Sequence, residues 1–199
     1  MTISLEQNPA SIFPDDVLTD PHTGKSWCVA HVKSRREKAL AHYFAGAAIG
    51  YYLPRYLRRQ AGKSRARTSL IPVFPGYLFF RADDMDRHIA LRSNHIARII
   101  EVFDEQNLIL ELSQINKALS GNMAGEIQVY PYDAVSEGQW VRVTHGPFKD
   151  VTGRIVRKDR IYRLTLSVET IRQAIVISID ANQVTPIDPQ TGVIKYDRF

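Results

Sequence analysis

The sequence predicts an α+β protein in two parts, a β-α-β-β-α-β segment followed by an all-β module. Three observations predict this. Apolar residues recur at three- and four-residue spacing in some stretches and alternate in the stretches between them. A break at Gly121-Asn122-Met123-Ala124-Gly125, with Pro131 just beyond, interrupts that pattern. From Ser136 onward the strands become short and regularly spaced, five of them in about 50 residues, as in a small closed β-barrel.

Each element has its own justification. Ser26 to Val32 alternates large apolar with small or polar residues, as a strand packed on both faces can. Ser34 with Glu37 has the spacing of a capping box, and Leu40, Tyr43, Phe44, Ala47 and Ala48 then form one apolar stripe, predicting a helix of about four turns. Tyr51 to Leu57 reads as an edge strand, because Pro54 cannot donate to a ladder. Residues 58–70, RRQAGKSRARTSL, are polar, basic and aperiodic, which predicts a long loop. Pro72 to Arg81 is strongly β-forming. Asp83, Asp84 and Asp86 open a short helix, Arg98 to Phe103 is a strand, and Leu112, Ile115 and Leu119 mark a third helix. In the second module the strands are Trp140–Val143, Gly153–Val156, Tyr162–Leu166, Ala174–Ile179 and one around Val184.

Composition narrows the function. The chain has 199 residues, 44% hydrophobic, a net charge of +5 and a single cysteine. This is an ordinary globular composition that excludes a disordered or fibrous chain and a large multi-domain enzyme. One cysteine, Cys28, excludes an intramolecular disulfide framework and a Cys-based zinc finger. The first residues lack the basic start and apolar run of a secretory signal, and no stretch approaches the roughly 20 apolar residues of a membrane span. A soluble cytoplasmic protein with no membrane association is expected. The charge is concentrated: residues 1–24 carry four acids and no Lys or Arg, whereas residues 25–67 carry eleven Lys or Arg and one acid, Glu37. A local basic face is the footprint of contact with phosphates, although it is also what a solvated surface looks like.

Catalytic patterns are weak. Asp83, Asp84 and Asp86 could hold a divalent metal in a nuclease, but acids in a first helical turn are what the helix dipole favours. The six histidines show no metal-ligand spacing, and no Gly-rich phosphate cradle occurs. No enzymatic activity, cofactor or metal is expected. The strand after Gly76 is more informative. Alternation puts Tyr77 and Phe79 on one face and Leu78 and Phe80 on the other, and helices are expected to cover only one of them. The aromatics left on the open face could stack on bases or receive a partner's helices.

Three segments resemble the NusG family of transcription elongation factors, and its specialised RfaH-type branch more than the housekeeping member. Trp-Cys-Val-Ala-His-Val-Lys-Ser-Arg-Arg-Glu-Lys from Trp27 resembles the family's opening strand and helix start. Pro-Val-Phe-Pro-Gly-Tyr-Leu-Phe-Phe from Pro72 resembles its central strand, and Gly138 to Gly153 its KOW motif. The resemblance implies a ferredoxin-like α/β sandwich followed by a small SH3-like five-stranded barrel. The domains would be an acidic extension over 1–25, a polymerase-binding domain over 26–120, a flexible linker over 121–135, a KOW barrel over 136–188 and a tail over 189–199.

It further implies a monomer that docks on the clamp helices of the largest RNA polymerase subunit. The anchors would be Phe74, Pro75, Tyr77, Phe79 and Val102, and the factor would suppress pausing or termination. Lys33, Arg35, Arg36 and His42, with Arg58 and Arg59 of the basic loop, would contact the non-template DNA strand. In the KOW module Phe148, presented by the Gly146-Pro147 turn, and Arg172 would meet a partner such as a small-subunit ribosomal protein. The family's Ile-Phe-Gly-Arg is here Glu169-Thr170-Ile171-Arg172, which argues against Rho and for a specialised antiterminator. The rival expectation is an RNA-binding or ribosome-associated KOW protein whose aromatic strand stacks on bases.

Overall fold

A computed structural model of the chain describes residues 8–19, 24–60, 67–120, 128–132, 138–158, 161–188 and 191. The Gly121–Gly125 break, Ser136 and nearly all of the 189–199 tail lie outside the described residues, as does the side chain of Arg59. The chain folds as two compact units, residues 1–109 and 110–199.

The first unit contains β1 (Ile12–Phe13), β2 (Ser26–Val32), α1 (Glu37–Gly46), β3 (Tyr51–Tyr52), β4 (Arg55–Gln60), β5 (Arg67–Pro72), β6 (Tyr77–Ala82), α2 (Asp84–Arg92), β7 (Ile96–Glu101) and the start of α3 (Glu105–Ser120). Its main sheet has the order β1-β3-β6-β2-β7, with antiparallel neighbours throughout. Without β1, the four strands and the two crossover helices make the β-α-β-β-α-β arrangement of ferredoxin-like folds. The expected α+β class and the central strand hold. On one face Cys28, Ala30, Leu78 and Phe80 bury against Leu40, Ala41 and Phe44 of α1 and Ala90 of α2. The Phe44 and Phe80 rings lie 5.0 Å apart.

Local rules decide the helices with one exception. Asp83 caps α2 by accepting from the Asp86 N–H at 2.8 Å, and Asp86 returns the bond to the Asp83 N–H at 3.3 Å. Asp86 also pairs with Lys25 at 2.7 Å, so the three acids serve the helix start. The expected Ser34 capping box does not form. α1 begins at Glu37 with no side-chain cap, and the Glu37 carboxylate, almost fully buried, accepts the Gly76 N–H at 2.7 Å. Arg35 has a φ of 59°, which turns the chain and removes Ser34 from the helix axis. The helix is correspondingly about three turns long rather than four.

Two segments differ more from expectation. The strand predicted over Tyr51–Leu57 breaks after Tyr52, and β4 leaves the sheet to pair with β5 from Arg55 opposite Pro72 to Gln60 opposite Arg67. Of the expected loop over 58–70, residues 58–60 and 67–70 thus pair in a basic hairpin. Its ribbon buries no continuous apolar face, so the sequence carries no alternation to reveal it. The last strand runs over Ile96–Glu101, two residues earlier than expected. The acidic extension is also structured in part. β1 pairs with β3, Val17 and Leu18 are buried, and the extension is fastened by the buried Arg55, which donates to Pro9 O at 2.5 Å and to Ser11 Oγ at 3.0 and 3.1 Å. Tyr51 Oη donates to Ala10 O at 3.1 Å, and the Leu53 N–H to Ser11 O at 2.7 Å.

The second unit holds the rest of α3 and β8 (Gln128–Pro131), β9 (Gln139–Val143), β10 (Thr152–Lys158), β11 (Ile161–Val168), β12 (Gln173–Ile179) and β13 (Val184–Pro186). The strands form one sheet in the order β13-β9-β10-β11-β12-β8. Five of them match the five expected. The sixth, β8, lies in the range expected as linker and pairs with β12. Inward positions Val141, Val143, Leu164, Leu166, Ile175 and Ile177 make the core. Gly153 is required by space and not by a bend: a Cβ there would lie 2.6 Å from Thr165 O across the ladder. From α3, the Gln114 carbonyl oxygen accepts the Thr152 N–H at 2.8 Å, and Glu111 accepts the Glu169 N–H at 3.1 and 3.2 Å. Among the described residues no helix is long and apolar enough to cross a membrane.

Candidate functional site

The sheet face opposite α1 and α2 is assembled from alternate residues of three neighbouring strands. Cross-strand register sets Phe79 beside Val29 and Ile100, and Tyr77 beside His31 and Arg98. The first row is buried at Phe79 and Val29, and the second is half-exposed at Tyr77 and His31 and exposed at Arg98. Trp27 and Tyr52 are buried, and the Arg81 guanidinium stacks on Trp27 at 5.4 Å.

The aromatic anchors therefore divide. Phe79 is fully buried and meets the edge of Phe74, also buried, with ring centroids 6.3 Å apart. The expectation that this face lies open is corrected at these two residues, which are buried. Tyr77 remains accessible and packs tilted against His31 at 5.4 Å. Pro75 is exposed and Val102 half-buried. One residue past Val102, Phe103, expected at the end of a strand, is 98% exposed.

The basic edge lies at the turn between β2 and α1. Lys33, Arg35 and Arg36 are exposed there, and His42 is exposed further along α1. Arg58 is exposed on the hairpin. Backbone pairing brings the turn to the α2–β7 connection: the Lys33 N–H donates to His95 O at 2.8 Å, and Lys33 Nζ donates to Asn94 Oδ1 at 2.7 Å. His95 and Asn94 were not singled out by sequence, since they lie 61 residues or more from Lys33 along the chain. Burial, and then the Arg36 and Lys33 charges, push the His95 ring below the usual histidine pKa.

In the second unit Phe148 is half-buried in the tight turn between β9 and β10. Arg172 follows a 3-10 turn over Glu169–Ile171, is exposed with a φ of 54°, and stacks over Tyr132 at 5.3 Å. Among the described residues no group of three or more His, Cys, Asp or Glu side chains could hold a metal ion. These surfaces present aromatic and cationic groups to solvent.

Compared with known families, residues 25–119 match the NusG model, described as "Transcription termination factor nusG". Comparison with curated proteins gives no match.

Proposed function

Residues 25–119 belong to the NusG family, and on that premise we propose that the chain is an operon-specific bacterial antitermination factor. The family consists of non-enzymatic transcription elongation factors that bind RNA polymerase. In the proposed mechanism Tyr77, with Pro75 beside it and Val102 just past the far end of β7, docks on the clamp helices of the largest polymerase subunit. Phe74 and Phe79 stiffen the strand from below. Lys33, Arg35, Arg36, His42 and the hairpin residues Arg58 and Arg59 contact the non-template DNA strand. Tighter binding to the elongating than to the paused enzyme shifts the polymerase toward the closed clamp.

One observation carries the docking site: on the sheet face opposite the helices Val29 and Phe79 are buried while Tyr77 and His31, one row away, stay accessible. The Glu169–Arg172 turn, with Ile171 buried and only the arginine kept from the housekeeping motif, supports the specialised branch. Through Phe148 and Arg172 the β-rich module would engage a small-subunit ribosomal protein rather than Rho.

The test is retention of core RNA polymerase by the purified full chain. Wild type is expected to bind, and Tyr77→Ala combined with Val102→Ala to lose at least tenfold in affinity, about 1.4 kcal/mol or more. Binding unchanged by both substitutions would overturn the docking site. Binding of an RNA oligonucleotide that depends on Tyr77 without any binding of polymerase would favour the base-stacking alternative.

A further inference from the structure

Two chain segments far apart in sequence build one cationic corner. The backbone bond from Lys33 to His95 O fixes the turn before α1 against the α2–β7 connection. The Lys33 ammonium is held by the Asn94 side chain, a neutral amide that orients the charge without cancelling it. Asn94 has a φ of 58°, a left-handed conformation asparagine tolerates better than most residues, and the Ser93 hydroxyl accepts the His95 N–H at 3.2 Å. Arg36 stands at the start of α1, where no side chain caps the helix. An uncapped first turn points its N–H groups outward and favours anions.

Among the described residues the charges that act on the His95 ring are cations, Arg36 and Lys33 of the β2–α1 turn. On its own side Ser93 and Asn94 are neutral, Arg92 closes α2, and Arg98 lies three residues on in β7. We propose that Lys33, Arg36 and His95 form one phosphate-binding site, and that His95 takes up a proton when a nucleic-acid phosphate occupies it. This rests on reading the basic edge as a nucleic-acid contact and adds a pH dependence to it.

The sign follows from linkage. In the free protein burial, and then the neighbouring cations, disfavour the imidazolium, whereas a phosphate between the three groups favours it. Affinity therefore rises as pH falls through the ring's bound-state pKa and levels off below its free-state pKa. Each unit separating the two pKa values is about tenfold in affinity.

The experiment uses the full chain and a fluorescent single-stranded deoxyoligonucleotide at fixed low salt, from about pH 8 to about pH 5, across the histidine range. Wild type is expected to bind about tenfold more tightly at the acid end. His95→Gln should flatten that profile, and the His95 ring followed by NMR should titrate at higher pH with oligonucleotide bound. A profile as steep in His95→Gln as in wild type, or a ring titration unmoved at saturation, would overturn the proposal while leaving the nucleic-acid contact standing. Absence of oligonucleotide binding at every pH would overturn that contact instead. In that case the His95 titration with inorganic phosphate decides the site alone: an upward shift supports it, and no shift overturns it.

Discussion

The two faces of the central sheet come from the same three strands and draw on similar aromatic and branched side chains, yet they end differently. The helix face is apolar at Cys28, Ala30, Val32, Leu78 and Phe80 and is closed there by α1 and α2. The opposite face is equally buried at Trp27, Val29 and Phe79 but opens at His31 and Tyr77, beside the exposed Arg98. Alternation alone makes the two faces look equivalent. The difference teaches that on this sheet the accessible end is continuous with a core, so the Tyr77 ring rests beside buried rings one row away.

Substitutions can break or sharpen this comparison. Phe80→Ala removes a fully buried ring between the sheet and Phe44 and should cost about 3–5 kcal/mol in denaturant unfolding. If the sealed part of the other face is also core, Phe79→Ala should cost a similar amount, and a loss below about 1 kcal/mol would show that the face is not sealed. Glu37→Ala removes a buried carboxylate from the Gly76 N–H. It should cost about 2 kcal/mol by the same measurement, with much of the loss restored in Glu37→Gln.

The smallest effects come from adjacent tyrosines on opposite faces. Tyr51→Phe gives up the bond to Ala10 O and should cost about 1 kcal/mol. Tyr52 is fully buried, its hydroxyl has no hydrogen-bond partner among the described residues, and burial pushes its pKa far above the usual range. Tyr52→Phe should therefore stabilise the chain by about 1 kcal/mol. A cost for both substitutions would show that Tyr52 has a polar partner and that the two faces are satisfied alike.

Much of the fold could be read directly because its signals are local. Alternation over Ser26–Val32 places β2 to the residue, and the acids Asp83, Asp84 and Asp86 mark the start of α2. The five later strands follow from β-branched runs between turn residues. The hairpin β4–β5 and the strand β1 escaped because neither has an apolar period of its own. Arg58 and Thr68 look like loop residues until their backbones are seen to pair, through Arg58 opposite Ser69 and Thr68 opposite Arg59. Ile12 and Phe13 gain a partner only because Tyr51 and Tyr52 leave the sheet edge open to them.

The candidate site divides in the same way. The basic turn and the aromatic strand are visible as residues at Lys33, Arg35, Arg36, Tyr77 and Phe79, since charge and side-chain type are properties of the chain itself. Which of those aromatics is accessible, and which neighbours complete the basic turn, depends on burial and on contacts between distant segments. Glu37 illustrates the limit: its spacing from Ser34 suggests a helix cap, but a buried carboxylate takes the strongest donor it can reach, and the fold puts the Gly76 N–H there. The sequence alone determined the order of elements and the chemistry available to them, because both depend on local period and residue type. Only the tertiary structure decided that Phe79 supports while Tyr77 faces outward and that His95 joins Lys33 and Arg36, because solvent exposure and electrostatic surroundings exist only once distant strands are packed together.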